Sequence, residues 1–126
     1  MTDDENAIRK LIATWLESGG DISRVKSLMA TDVVFLMPGN EMRGREAYAA
    51  AQKAMAGMKV QAKGEIKEVK VFGDYAYCWN ELDVTVTPPG GTPVRRMGPV
   101  LSLLHRESSG RWVIYRDANM LTAMPT

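Results

Sequence analysis

Chemistry at neutral pH needs a group that exchanges a proton or attacks an electrophile, and this chain has few of them in useful company. It holds one histidine, His105, and one cysteine, Cys78. A single imidazole and a single thiol offer no metal-ligand spacing, so no metal site is expected. Ser102 and His105 lie three residues apart in a run of strand composition, and alternation sends their side chains to opposite faces, which argues against a Ser-His-Asp triad. Cys78 has no cationic neighbour in sequence and reads as a small buried hydrophobe. What remains is a set of polar residues spaced by two: Tyr115, Asp117 and Asn119 share one strand face, as do Val100, Ser102 and Leu104, and Cys78, Asn80 and Leu82. A carboxylate held in an apolar cavity is desolvated, its pKa climbs, and it becomes able to take and return a proton. Asp117 is the acid/base candidate on that ground, with Asn80, Asn119, Ser102 and Tyr115 orienting a carbonyl or hydroxyl of a ligand. The competing reading pairs Asp117 with Arg95, Arg106 or Arg116 and leaves the asparagines to satisfy backbone groups. Deep burial of Asp117 without an arginine partner separates the two.

The elements that must position these residues fall into two halves. Thr2 and Glu5 fit a capping box, and Ala7, Ile8, Leu11, Ile12, Trp15 and Leu16 recur at helical spacing, predicting a helix over residues 3–17 that stops at Gly19-Gly20. Asp21 caps a shorter helix with Ile22, Val25, Leu28 and Met29 on its apolar face. Val33–Met37 reads as a short extended piece ended by Pro38-Gly39. Tyr48, Ala51, Met55 and Met58 fall on one side of a third, alanine-rich helix. The second half has strand composition throughout, as four runs over 60–71, 75–87, 95–106 and 111–121 separated by turn residues. The apolar register shifts between Ile66 and Val69, which predicts a bulge there. Three helices followed by a curved antiparallel four-stranded sheet is an α+β arrangement.

Composition narrows the function classes. The 126 residues make one domain, long enough to bury a core without staples. Sixteen basic and fifteen acidic residues give a net charge of +1, so no overall field favours nucleic acid or an anionic membrane. No apolar stretch is long enough to span a bilayer, and the acidic N-terminal Met-Thr-Asp-Asp-Glu is unlike a secretory signal, so a cytoplasmic location is expected. No glycine-rich turn has phosphate-loop or dinucleotide spacing, and no cofactor is expected.

The order of elements, with Gly20-Asp21 to Val25, Leu28-Met29-Ala30-Thr31-Asp32-Val33-Val34-Phe35, Pro38-Gly39, Arg43-Gly44-Arg45-Glu46-Ala47, Gly73-Asp74-Tyr75-Ala76-Tyr77 and Gly110-Arg111-Trp112, resembles the SnoaL-like, ketosteroid-isomerase-like branch of the nuclear transport factor 2-like superfamily. The resemblance covers nearly the whole chain and implies a cystatin-like α+β roll. In that roll a conical apolar cavity lies between helices and the concave sheet face, and two copies pair through their convex sheet faces. It places Ser102, Tyr115, Asp117, Asn119, Asn80 and Leu82 toward the cavity and Trp79, Glu81 and Asp83 on the other face. It also places Trp15, Met37, Met42, Met55, Met58 and Met120 on segments that border the cavity. Nine methionines in so short a chain then suit a soft-walled site for a small hydrophobic molecule.

The isomerase's own chemistry is not carried over. There an Asp base moves the proton while a Tyr and a protonated Asp stabilise the enolate oxygen. The base position, directly before a proline, is Met37 here; the Tyr position falls on Ala13 and the protonated Asp on Ser102. The expectation is a small-ligand binder that isomerises, cyclises or hydrates a carbonyl-containing or cyclic compound through Asp117, or else a non-catalytic dimeric binding or assembly module.

Overall fold

In the computed structural model, residues 2–18 and 21–125 are described. Helix α1 (Asp3–Glu17) starts where Thr2 Oγ1 accepts the Glu5 amide hydrogen at 3.1 Å, with Asp3, Asp4 and Glu5 in the positive first turn. The expected stop at Gly19-Gly20 lies outside the described residues. Asp21 caps α2 (Ile22–Ser27) by accepting from the Arg24 amide. Strands β1 (Met29–Met37) and β2 (Asn40–Arg43) come before α3 (Arg45–Ala54), and β3 (Lys59–Phe72), β4 (Tyr75–Thr87), β5 (Val94–Arg106), β6 (Trp112–Asn119) and the short β7 (Thr122–Ala123) follow it.

The strands form one seven-stranded sheet in the order β2-β1-β6-β5-β4-β3, with β7 paired to β5. The α+β roll and the three helices stand as expected, but the four-stranded sheet does not. The short extended piece at Val33–Met37 begins four residues earlier, at Met29, which belongs to β1 and not to the face of α2. It docks parallel to β6 and brings β2 with it. Such pairing joins residues some 80 positions apart, and local patterning carries no signal for it. The bulge in β3 falls where the broken alternation placed it, with Lys67 the extra residue between the Ile66 and Glu68 pairings.

The core lies between α1 and one face of the sheet. Ile8, Leu11 and Ile12 of α1 pack with Val33, Val69, Leu104, Trp112 and Ile114. The N-terminal end of α1 is clamped to the sheet: Trp112 Nε1 donates to Asp4 at 3.0 Å, and Arg106 bridges Asp4 and Asp74. Helix α3 is held far less firmly, since none of its residues is fully buried. The C-terminal segment folds back over β5, where the Met120 carbonyl oxygen lies 2.5 Å from the point a Cβ on Gly98 would occupy, so only glycine fits there.

Candidate functional site

One row of residues crosses six strands on the α1 side of the sheet. Met42, Phe35, Asp117, Ser102, Cys78 and Val69 stand opposite one another in β2, β1, β6, β5, β4 and β3. The adjacent row on the same face holds Asn119, Val100, Asn80 and Ile66. Alternation therefore brings Asp117, Ser102, Asn80, Asn119 and Met42 together as expected, though they come from four strands.

Asp117 is the electrostatic centre of this face. It is 4% exposed, and its one hydrogen-bond partner among the described residues is Ser102, whose hydroxyl donates to Oδ1 at 3.0 Å. Burial pushes its carboxyl up to about 7 against the opposing pull of the serine. The arginines that could have made it a structural ion pair are engaged elsewhere. Arg95 pairs with Asp83, Arg106 with Asp4 and Asp74, and Arg116 donates to the carbonyls of Asp32 and Tyr115. A carboxyl in this state divides between acid and base near neutral pH and can serve as either.

An aromatic group covers the Asp117 row. The Phe35 and Tyr48 rings stack at 4.7 Å, and Trp15 lies against both, its indole Nε1 donating to the Tyr48 hydroxyl at 3.2 Å. That bond uses the hydroxyl as acceptor and leaves its proton free for a ligand. Burial, and secondarily the Asp117 charge, hold the Tyr48 phenol above its ordinary pKa, so it stays a donor. The sequence reading assigned Tyr48 only an apolar role; its signal was a lone phenol on an otherwise alanine-rich helix face. Trp15, expected to border the cavity, packs on Phe35 and Tyr48. Cys78 is fully buried in the same row, its thiol pushed up to about 11 by burial, which leaves it inert.

Several expected residues stand elsewhere. Tyr115 is on the opposite face, its ring packed on Tyr75 and His105 with the Arg116 guanidinium over it at 3.9 Å. The cause is a bulge in β6: Leu104 pairs with Ile114 and Leu103 with Arg116, so Tyr115 is the extra residue and parity inverts there. Asn119 borders the site, but its Oδ1 accepts from the Leu121 amide at 2.9 Å and shapes the turn into β7. Met55 closes the end of α3, and Met58 and Met120 are exposed. Met37 is half-buried on the Phe35 side of β1, beside the Asp117 row.

Leu82 lies one row beyond Asn80 and lines a depression of about 540 Å³ with Lys63, Glu81, Asp83, Met97 and Met124. Lys63, Asp83 and Met97 stand opposite one another in the pairing and share a face with Trp79, whereas Leu82 keeps the parity of Asn80, its Cδ1 3.6 Å from the point a Cβ on Gly64 would occupy, so residues of both parities border this depression. The cavity implied between helices and concave face is instead occupied around Asp117 by the side chains of Trp15, Phe35 and Tyr48. Among the described residues no cluster of potential metal ligands occurs.

A curved sheet covered on one face by helices has the architecture of the nuclear transport factor 2-like class of α+β rolls. The sequence pattern of the SnoaL-like domain matches residues 8–115, and the chain belongs to that family. A conserved protein from Planctomyces limnophilus is similar at 32% identity, over 96% of this chain and 98% of its own, with a TM-score of 0.90. A nuclear transport factor 2-like protein with a cystatin-like fold from Novosphingobium aromaticivorans is 26% identical over 94% of this chain and 82% of its own, TM-score 0.78. A ketosteroid isomerase-like protein from Erwinia carotovora atroseptica shares the fold at 21% identity, over 99% of this chain and all of its own, TM-score 0.86. No curated protein matches the chain in sequence. No helix among the described residues is long and apolar enough to cross a membrane.

Proposed function

We propose that the inner face binds a small hydrophobic carbonyl-containing or cyclic compound and that Asp117 moves a proton on it, in an isomerase-, cyclase- or hydratase-type reaction. The observation that carries this reading is a carboxyl buried to 4% exposure, without an arginine, and poised near neutrality. Tyr48 supplies a second proton donor on the same side, and Ser102 holds the carboxyl in place. Helix α3, which buries no residue fully, is the element whose displacement would uncover Asp117. Two copies pair through the outer face, where Phe72, Tyr75, Trp79, Leu101 and Leu103 are exposed. The near-neutral charge balance favours a protein without nucleic-acid or anionic-membrane partners.

A test that needs no knowledge of the natural substrate is deuterium exchange at the carbon beside the carbonyl of small cyclic ketones, followed by proton NMR in heavy water. The wild type is expected to accelerate exchange, and Asp117→Asn to lower the rate by about 10²–10⁴. Equal rates in the two proteins would remove the acid/base role. The second reading, a non-catalytic dimeric binding module, is favoured by Met37 standing where the isomerase has its base.

A further inference from the structure

Among the buried side-chain oxygens of the described residues, Asn80 Oδ1 is the one without a hydrogen-bond partner. Asn80 is 4% exposed on the inner face of β4, so neither water nor the fold satisfies this acceptor, and an orphan of that kind is costly. The pairing explains why no neighbour serves it. Val100 and Ile66 stand on either side in its row, and Cys78 and Leu82 precede and follow it on the same face; none of the four carries a strong donor. Ser102, diagonal to Asn80 across β4 and β5, spends its hydroxyl proton on Asp117. Trp15 Nε1 donates to Tyr48, which stacks on Phe35, three strands away. The row beyond Asn80 holds Gly64, Leu82 and Gly98, which border the depression of about 540 Å³, so the amide stands one row from open space.

We infer that Asn80 reads a hydroxyl group of the ligand, so that the compound taken by the inner face is a neutral, hydroxylated carbonyl compound. This rests on the inner face being a ligand site. A carboxamide orients a carbonyl through its N–H groups or a donor through its oxygen, and here the oxygen is the atom left over. A carbonyl, an ether or a carboxylate offers that oxygen no hydrogen. An ammonium would, but stripping its water among Val100, Ile66 and Leu82 costs far more than burying a neutral group. The hydroxyl is the smallest neutral donor. Asn80 and Asp117 stand two strands and one row apart in the pairing, about 12 Å between Cα positions from strand spacing and rise. A ligand that touches both is therefore about one aromatic ring and a short chain long, its hydroxyl at Asn80 and the carbon beside its carbonyl at Asp117.

The test compares two probes of one skeleton, 4-(4-hydroxyphenyl)butan-2-one and 4-(4-fluorophenyl)butan-2-one, titrated into amide-labelled protein and read by proton–nitrogen NMR. Fluorine fills the space of the hydroxyl, is more apolar and donates nothing, so hydrophobic contact alone would favour it. The wild type should bind the hydroxylated ketone at least about fivefold more tightly, the net worth of one hydrogen bond, with a shift at the Asn80 side-chain amide. Asn80→Val and Asn80→Ala should each bring the two probes within about twofold of one another by weakening the hydroxylated one. Equal binding by the wild type, tighter binding of the fluorinated ketone, or a hydroxyl preference that survives both substitutions overturns the inference. In that case shifts at Asp117 and Ser102 with either probe keep the ligand site itself standing. Failure of both probes to shift those residues overturns the site and the inference together. Should neither variant fold, the wild-type comparison decides alone.

Discussion

The two faces of strands β4, β5 and β6 carry opposite burdens. On the inner face Cys78, Ser102 and Asp117 are buried, and the polar groups among them have few partners or none. On the outer face Trp79 and Leu103 are about 40% exposed, while the polar groups are paired: Asp83 with Arg95, and Glu68 accepting from the Tyr77 hydroxyl. Ordinary one-layer sheets place apolar residues inside and polar residues outside. Part of that pattern is inverted here, and both halves of the inversion lower stability in the isolated chain. Under the proposed function a ligand satisfies the buried polar groups and a second copy covers the exposed apolar ones. Residues one position apart on the same strands therefore answer to different selective demands.

The largest effect that tests this contrast concerns Asp117. Its carboxyl ionises near 3.8 when unfolded and near 7 when folded, so between these values the native state holds a proton that the unfolded chain has released. Stability then falls as pH rises from about 4 to about 7 and levels off beyond. Three powers of ten in proton affinity correspond to on the order of 4 kcal/mol. Asp117→Asn should accordingly gain nothing over wild type at pH 4 and most of that amount at pH 8, measured by urea unfolding; a gain independent of pH would contradict a buried acid.

Next come the neighbours Leu104 and Leu103. Leu104→Ala opens a void in the sealed inner face and should cost about 2–5 kcal/mol. Leu103→Ala should cost less than about 1 kcal/mol in dilute solution. If the outer face pairs two copies, Leu103→Glu will bring the light-scattering mass down from that of two chains to one, whereas an unchanged mass would free the outer face from that role. Tyr48→Phe removes the acceptor for Trp15 Nε1 and should cost about 1 kcal/mol, visible as a lower urea midpoint. The smallest effect belongs to Asp83→Asn: its arginine pair is solvent-exposed and screened, and no change in midpoint beyond error is expected at high salt.

Much of this arrangement was legible in the sequence because it depends on local periodicity. Asn80, Ser102 and Asp117 share a face by counting in twos, and the β3 bulge showed in a broken alternation at Ile66–Val69. What escaped was non-local or half a step long. The parallel docking of β1 on β6 joins distant residues, and the single extra residue at Tyr115 flipped one prediction without disturbing the hydrophobic pattern around it. Tyr48 was read as an apolar residue alone, because an amphipathic side chain on an apolar helix face is as common in a core as in a site, and only the fold tells which groups its hydroxyl meets.

The C-terminal fold-back over Gly98 has a consequence for how the protein is handled. Strand β7 occupies the stretch of β5 that β6 leaves uncovered, pairing with Arg96 and Met97. A methyl group at position 98 would collide with the Met120 carbonyl and push the tail off, baring a row of unsatisfied amides beside Val94 and Met97. Such an edge recruits other chains. Resistance to aggregation during expression and storage thus hangs on a hydrogen atom where every other amino acid has carbon.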